Sequence, residues 1–184
     1  MRVLKDIVKY VPAPNERMEV TELSLFYRYA IPCGELGVEL GVLDEEKVAE
    51  ARKRFFSGDL LENPEEVFPV AMKLLKITAD RISKKEIDGK VIRKYFWDFH
   101  DEHVREDALI IPGFPVKECM VWPGEMVETD FALTPIGKKR IKKDLVDKIS
   151  VGDFVTVHHG YVCEKISEEE FKAFWRRVEN ERKD

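Results

Sequence analysis

Two segments decide the fold of this chain: VKECMVWPGEMVE at residues 116–128 and DLVDKISVGDFVTVHHGYVCEKI at residues 144–166. Within them, Pro123-Gly124 and Val151-Gly152-Asp153 are sequences typical of turns. The residues at 154–157 are β-branched and aromatic, which favours a strand. The segments therefore predict a run of short strands broken by turns. Together these strands could form a small closed sheet.

The same stretch carries the side chains with the most chemistry. Cys119 offers a thiolate, which is a soft metal ligand and a nucleophile, and His158 offers an imidazole. Two protein ligands fall short of the four that a structural zinc site uses, and they suit a metal fragment that brings its own ligands. His159, on the opposite face of a regular strand, and Cys163 are accessory candidates. For each side chain the alternative interpretation is a buried or hydrogen-bonded residue that binds no metal.

Three further residues are weaker candidates. Cys33 follows a predicted helix, where the backbone dipoles would act on its thiolate. His100 and His103 are spaced i and i+3 on a predicted helix, and that spacing permits a divalent metal. The alternative interpretation is the polar end of an exposed helix.

The first part of the chain predicts a bundle of roughly four helices. Thr21 is expected to cap the first helix, which a proline and two glycines at 32, 34 and 37 should break. Asp44 is the expected N-cap of the second helix, and Ser57-Gly58 its end. Asn63-Pro64 predicts the start of a third helix that runs to about Ser83. A fourth is expected from residue 90 to about 103.

The pattern changes after the fourth helix. Ile110 to Pro115, rich in proline and glycine, is the expected connection. Ser167 begins a capping box and predicts a terminal helix. We therefore expect an α+β protein with two domains, a helical domain at 1–115 and a β-barrel domain with a terminal helix at 116–184.

Composition limits the classes of function. The chain has 184 residues, a formal net charge of −5 and 36% charged residues, and it lacks glutamine. A charge-rich, amide-poor composition is typical of thermophile proteins, and the negative balance argues against general nucleic-acid binding. Three cysteines without CxxC spacing favour a reducing cytoplasm. We expect neither a signal peptide nor a membrane span.

One basic cluster departs from the negative balance. It predicts either an exposed edge strand, where lysines discourage unwanted pairing, or a docking patch for an acidic partner. Its members are Lys138, Lys139, Arg140, Lys142 and Lys143. Phosphate-binding glycine loops, GxSxG and HExxH are missing from the sequence, so an independent catalyst is not indicated.

The two deciding segments resemble a known family. CMVWPGEMVE at 119–128 is similar to the opening motif of the HypC/HupF family of [NiFe]-hydrogenase maturation chaperones. The Val-Gly-Asp turn, the strand and the histidine before an apolar-Gly-aromatic run resemble the family's second half. The resemblance covers about residues 117–184. Residues 21–80 faintly resemble helical domains associated with hydrogenase operons.

The resemblance implies a small OB-like barrel with a C-terminal helix. It also implies a role in which an iron atom bearing cyanide and carbon monoxide is received with HypD and passed to the hydrogenase large-subunit precursor. The family's functional Cys and His fall on Cys119 and His158, and the Pro123-Gly124 turn would hold their strands together. In the family this Cys follows the initiator Met. Here Cys119 is internal, so no free α-amine lies beside the thiol.

Two other functions remain open from the sequence. One is a metal-free interaction module of OB-like type, binding protein or single-stranded nucleic acid across the barrel. The other is a thiol enzyme in which Cys119 is the nucleophile and His158 or His159 the base.

Overall fold

The structure is a computed structural model that describes residues 18–110 and 114–181. Its contacts form two compact units that divide between Phe99 and His100. The expected domain boundary at 115/116 stays a prediction, because a division by contacts does not show which part folds independently. The expected connection falls partly outside the described residues, and its first residue, Ile110, ends a helix. No helix in the described ranges is both long and apolar enough to cross a membrane.

The first unit is helical. Its elements are α1 (Leu23–Glu39), α2 (Glu45–Ser57), a 3-10 turn (Pro64–Glu66), α3 (Pro69–Arg81), α4 (Gly89–Lys94) and a π-helical turn (Tyr95–Phe99). Its core is aromatic: the rings of Phe26, Tyr27 and Phe68 meet edge to face. The Asp44 carboxylate accepts hydrogen bonds from two backbone amides of α2, and Gly58 ends that helix with left-handed backbone angles. Both predicted ends of α2 are confirmed.

Three expectations for this unit are wrong. Thr21 does not cap α1, because the N-cap position is Glu22 and no side chain caps this helix end. Helix α1 begins at Leu23 and continues through Pro32, Gly34 and Gly37 to Glu39. The glycines serve close packing instead of a turn: a Cβ on Gly34 would lie 2.7 Å from the Phe68 ring. The third predicted helix is interrupted before Pro69, because a proline disfavours helical angles in the residue that precedes it.

The second unit joins an antiparallel sheet to three helices. Its elements are α5 (His100–Ile110), α6 (Val116–Cys119), β1 (Val121–Glu128), β2 (Phe131–Thr134), β3 (Gly137–Arg140), β4 (Phe154–His158), β5 (Tyr161–Ile166) and α7 (Glu168–Glu181). The strand order is β3-β2-β1-β4-β5. The first half of β1 pairs with β4 and its second half with β2. The α+β class is confirmed.

The sheet is open, so the described strands do not form a closed barrel. Its edges are β3 and β5, and an isolated bridge joins Lys142, just beyond β3, to Tyr161 in β5. Behind the sheet, the Phe171 ring of α7 stacks on Phe154, with centroids 4.5 Å apart. The predicted capping box of α7 is confirmed, since the Ser167 hydroxyl accepts from the Glu170 amide and the Glu170 carboxylate accepts from the Ser167 amide.

Pro123 and Gly124 lie within β1, so the turn expected there is wrong. Both residues face β4, and the pairing of β1 with β2 starts only at Glu125. At Pro123 the strand therefore has a ladder on one side only, which is where a residue without an N–H is tolerated. Gly124 provides room, because a Cβ there would lie 3.2 Å from a Val157 methyl.

Candidate functional site

Three side chains of the second unit come together where β1 begins and β4 ends. Cys119, His158 and His100 each present a ligand atom, and these atoms lie within 4.8 Å of one another. All three are nearly inaccessible to solvent, at 5%, 0% and 5% exposure. A thiol and two imidazoles in one buried place are the ligand types that zinc and its neighbouring transition metals prefer.

A short helical turn places Cys119. Helix α6 ends at this residue, whose amide donates to the Pro115 carbonyl at 3.0 Å. Met120 then adopts extended angles and leads into β1. The indole N–H of Trp122 donates to the Lys117 carbonyl at 2.6 Å and ties the start of the strand back to the turn. The sequence predicts short strands broken by turns over this stretch, so the helical turn at 116–119 is a correction.

The sheet places His158. It is the last residue of β4 and pairs with Val121 on one side and Tyr161 on the other. His159 follows with a φ of +45°, in the turn before β5. The His159 amide donates to the Glu118 carbonyl at 2.9 Å. This bond holds the end of β4 beside the helical turn that carries Cys119.

His100 is the member that the motif did not indicate. It is the first residue of α5, and its ring meets the His158 ring edge to face with centroids 5.1 Å apart. Its Nδ1 lies 3.9 Å from Oδ1 of Asp101, a carboxylate that is itself buried. That separation is an ion-pair distance and exceeds a normal hydrogen bond.

The two imidazoles differ in their electrostatics. Burial lowers the pKa of His100, but the Asp101 carboxylate and the Cys119 sulfur outweigh burial and raise it to about 9. Burial dominates at His158 and lowers its pKa, aided by the positive charge of His100 and opposed by Cys119. At neutral pH the His100 ring is therefore positively charged and the His158 ring is neutral.

The structure brings together the two residues indicated by the motif, Cys119 and His158, and adds His100. The accessory candidates His159 and Cys163 are not members of this group. Cys163 is fully buried in β5, next to a shift in strand register. His103, on α5, is half-buried and also outside the group, while Cys33 belongs to α1 of the first unit. The sequence indicated His100 only through its i, i+3 spacing with His103, and that spacing did not predict that His100 is buried.

The basic cluster lies on the edge of the sheet. Lys138 in β3 forms an ion pair with Glu128, and Lys143 lies 3.8 Å from an Asp130 carboxylate oxygen. The Lys142 ammonium donates to the Tyr161 hydroxyl at 2.8 Å. Nearby acids therefore offset part of this charge. Three members of the cluster lie in the edge strand β3, and the docking patch for an acidic partner stays a prediction.

Comparison of the chain with family models, curated proteins and solved structures gives no match.

Proposed function

We propose that this chain is a HypC-like accessory protein of [NiFe]-hydrogenase maturation, which receives an iron fragment from a HypD-like partner and passes it to a large-subunit precursor. One observation carries the proposal: Cys119 and His158, almost forty residues apart in sequence, present sulfur and nitrogen within 4.8 Å of each other. These are the two positions that the resemblance implies, and their pairing does not depend on it.

The chemistry of the pair suits a transferred cargo. A thiolate and an imidazole are both ligands for iron, and they leave coordination positions for cyanide and carbon monoxide. The surrounding strands also favour the proposal. An isolated bridge joins Lys142, just beyond the edge strand β3, to Tyr161 in the other edge strand, β5, and this contact lies where an OB-like barrel would close.

Infrared spectra test the cargo. The full chain, purified without oxygen beside a HypD-like partner, is expected to contain iron and to show cyanide and carbon monoxide stretches. Cys119→Ala should lose both. Cys163→Ala is the matched control, since it removes a buried thiol that is outside the group. Iron-free wild-type protein without these bands, or bands that survive in Cys119→Ala, would refute iron carriage.

A second function, a metal-free protein-binding module, has one observation in its favour. A groove of about 390 Å³ lies where α7 meets the sheet. Leu133, Phe171 and Trp175 form its apolar lining, and its charged side chains are two bases and one acid: Lys172, Arg176 and Glu125. An acidic segment of a maturation partner would fit the two bases. Loss of partner capture in Trp175→Ala, with the infrared bands of the wild type absent, would favour this module over the carrier.

A further inference from the structure

We propose that His100 is a third metal ligand, and that Cys119, His100 and His158 form a site for a bare divalent transition metal ion of the zinc class. This inference deepens the proposed function, since it uses the same Cys119–His158 pair. It differs in needing neither a maturation partner nor diatomic ligands. It also rests on a residue that lies outside the two motif segments.

The separations fit a metal ion. Bond lengths of about 2.3 Å to sulfur and about 2.0 Å to nitrogen in a tetrahedral zinc site place neighbouring ligand atoms about 3.6 Å apart. The three atoms here are within 4.8 Å of one another. Closing that gap requires movements of roughly 1 Å, within the reach of small side-chain rotations. The chain therefore brings the ligands almost to binding distance before any ion arrives.

Burial separates this group from an ordinary polar cluster. No member of the group is more than 5% exposed, and the Cys119 sulfur acts to raise the pKa of both imidazoles. Polar side chains are rarely buried together unless hydrogen bonds or a metal offset the lost hydration. The two imidazole rings meet edge to face, with centroids 5.1 Å apart.

The ligand set defines the class of ion. One thiolate and two imidazoles suit zinc, cobalt and nickel, whereas calcium and magnesium need oxygen ligands. Three ligands from this unit leave a fourth tetrahedral position for a ligand from outside the group.

A buried acid supports the third ligand. Metal-bound histidines almost always pair their second ring nitrogen with a carboxylate or carbonyl, which fixes the ring orientation. Asp101 is 7% exposed and adjacent to His100, with an oxygen at the ion-pair distance of 3.9 Å from Nδ1. A movement of about 1 Å would bring the two atoms to hydrogen-bonding distance. We therefore assign Asp101 as the positioning residue of His100.

Cobalt titration of the full chain, freed of metal by a chelator, tests the site. We expect one Co²⁺ per chain, a sulfur-to-cobalt charge-transfer band and the intense visible bands of four-coordinate cobalt, all displaced by zinc. Cys119→Ala should abolish the charge-transfer band. His100→Ala should weaken binding by at least about 100-fold, because even a lost supporting residue costs about 10–100-fold.

Two neighbouring histidines provide matched controls. His103→Ala lies on the same helix as His100, and His159→Asn replaces the left-handed residue beside His158 with one that tolerates that conformation. Each should change affinity by no more than about twofold. A loss in His103→Ala equal to that in His100→Ala would overturn the assignment, as would unchanged binding in His100→Ala.

X-ray absorption of the zinc-loaded wild type removes any dependence on how the variants fold. Scattering from sulfur at about 2.3 Å and from two imidazoles at about 2.0 Å is expected. A shell with no sulfur, or with one imidazole, would overturn the proposal. The proposed function fails separately: cobalt binding without infrared bands in protein from the host supports this site alone, while bands without cobalt binding support carriage alone.

Discussion

Replacing Asp101 with asparagine should lower the pKa of His100 in the metal-free protein. The wild-type ring is expected to titrate at about 9, against an ordinary value of 6.5. An opposite charge within about 4–6 Å shifts a pKa by about 1–3 units. With an oxygen 3.9 Å from Nδ1, the Asp101 carboxylate falls in that range. We therefore expect the His100 pKa in Asp101→Asn to fall to roughly 6–8.

Nitrogen-detected NMR of the imidazole rings measures this directly, because the chain has only four histidines to assign. The protein is kept in chelator and titrated from pH 5 to about 10, the range that spans ordinary and raised imidazole pKa values. Glu102→Gln is the matched control, since it removes an exposed acid one residue further along α5. A wild-type His100 that titrates near 6.5, or an Asp101→Asn value equal to the wild type, would refute the electrostatic account.

The same shift fixes the sign of a pH effect on stability. Folding raises the pKa of His100, so its protonation stabilises the folded protein. This contribution is fully present below the unfolded pKa of 6.5 and is lost as the pH rises through about 9. A fall of 1–3 units corresponds to about 1–4 kcal/mol. The stability difference between wild type and Asp101→Asn should therefore shrink by this order between pH 6.5 and 9.

Three shorter predictions concern packing, capping and reactivity. Ser167→Ala should cost about 1 kcal/mol in urea unfolding, because it removes the cap that Glu170 completes; an unchanged midpoint would contradict it. Gly34→Ala should cost about 1–3 kcal/mol, since its Cβ meets the Phe68 ring at 2.7 Å; a more stable variant would show that the ring can move aside. Cys119, at 5% exposure, should react with iodoacetamide more slowly in the native protein than in urea, as followed by mass spectrometry; a faster native reaction would favour the thiol enzyme.

Two of the predicted helix starts are confirmed by hydrogen bonds within one turn of the chain, whereas the cap predicted at Thr21 is wrong. Asp44 and Gly58 mark the ends of α2, and Ser167 begins α7 as its capping box predicted. A cap depends on residues within one turn of the chain. No knowledge of the rest of the fold is needed to place it, which is why these predictions are confirmed.

Glycine and proline led to wrong predictions of turns and helix ends at positions where they serve packing between elements. Gly34 lies in mid-helix and Gly124 in mid-strand, and at each a side chain from another element occupies the space of a Cβ. The sequence shows that a small residue is present and cannot show what packs against it. Pro123 is similar, because its place in β1 depends on where the pairing with β2 begins.

The site was half predictable. Cys119 and His158 stood out by their motif, and the antiparallel pairing of β1 with β4 explains why they meet. His100 had an ambiguous signal, two histidines and several acids on one helix, which is as typical of an exposed helix end. His100 is only 5% exposed, and periodicity over one short helix does not reveal such burial.

The proposed third ligand, His100, distinguishes a site that binds a metal stably from one that transfers an iron fragment to a partner. Each additional protein ligand strengthens binding and slows release, so a carrier gains nothing from an imidazole that its cargo does not need. An iron atom that brings cyanide and carbon monoxide has fewer open positions than a bare zinc ion, and Cys119 with His158 can satisfy it. His100→Ala should then leave the infrared bands in place while it abolishes tight cobalt binding. Loss of both would mean that His100 serves the cargo itself, and that one three-ligand site carries out both roles.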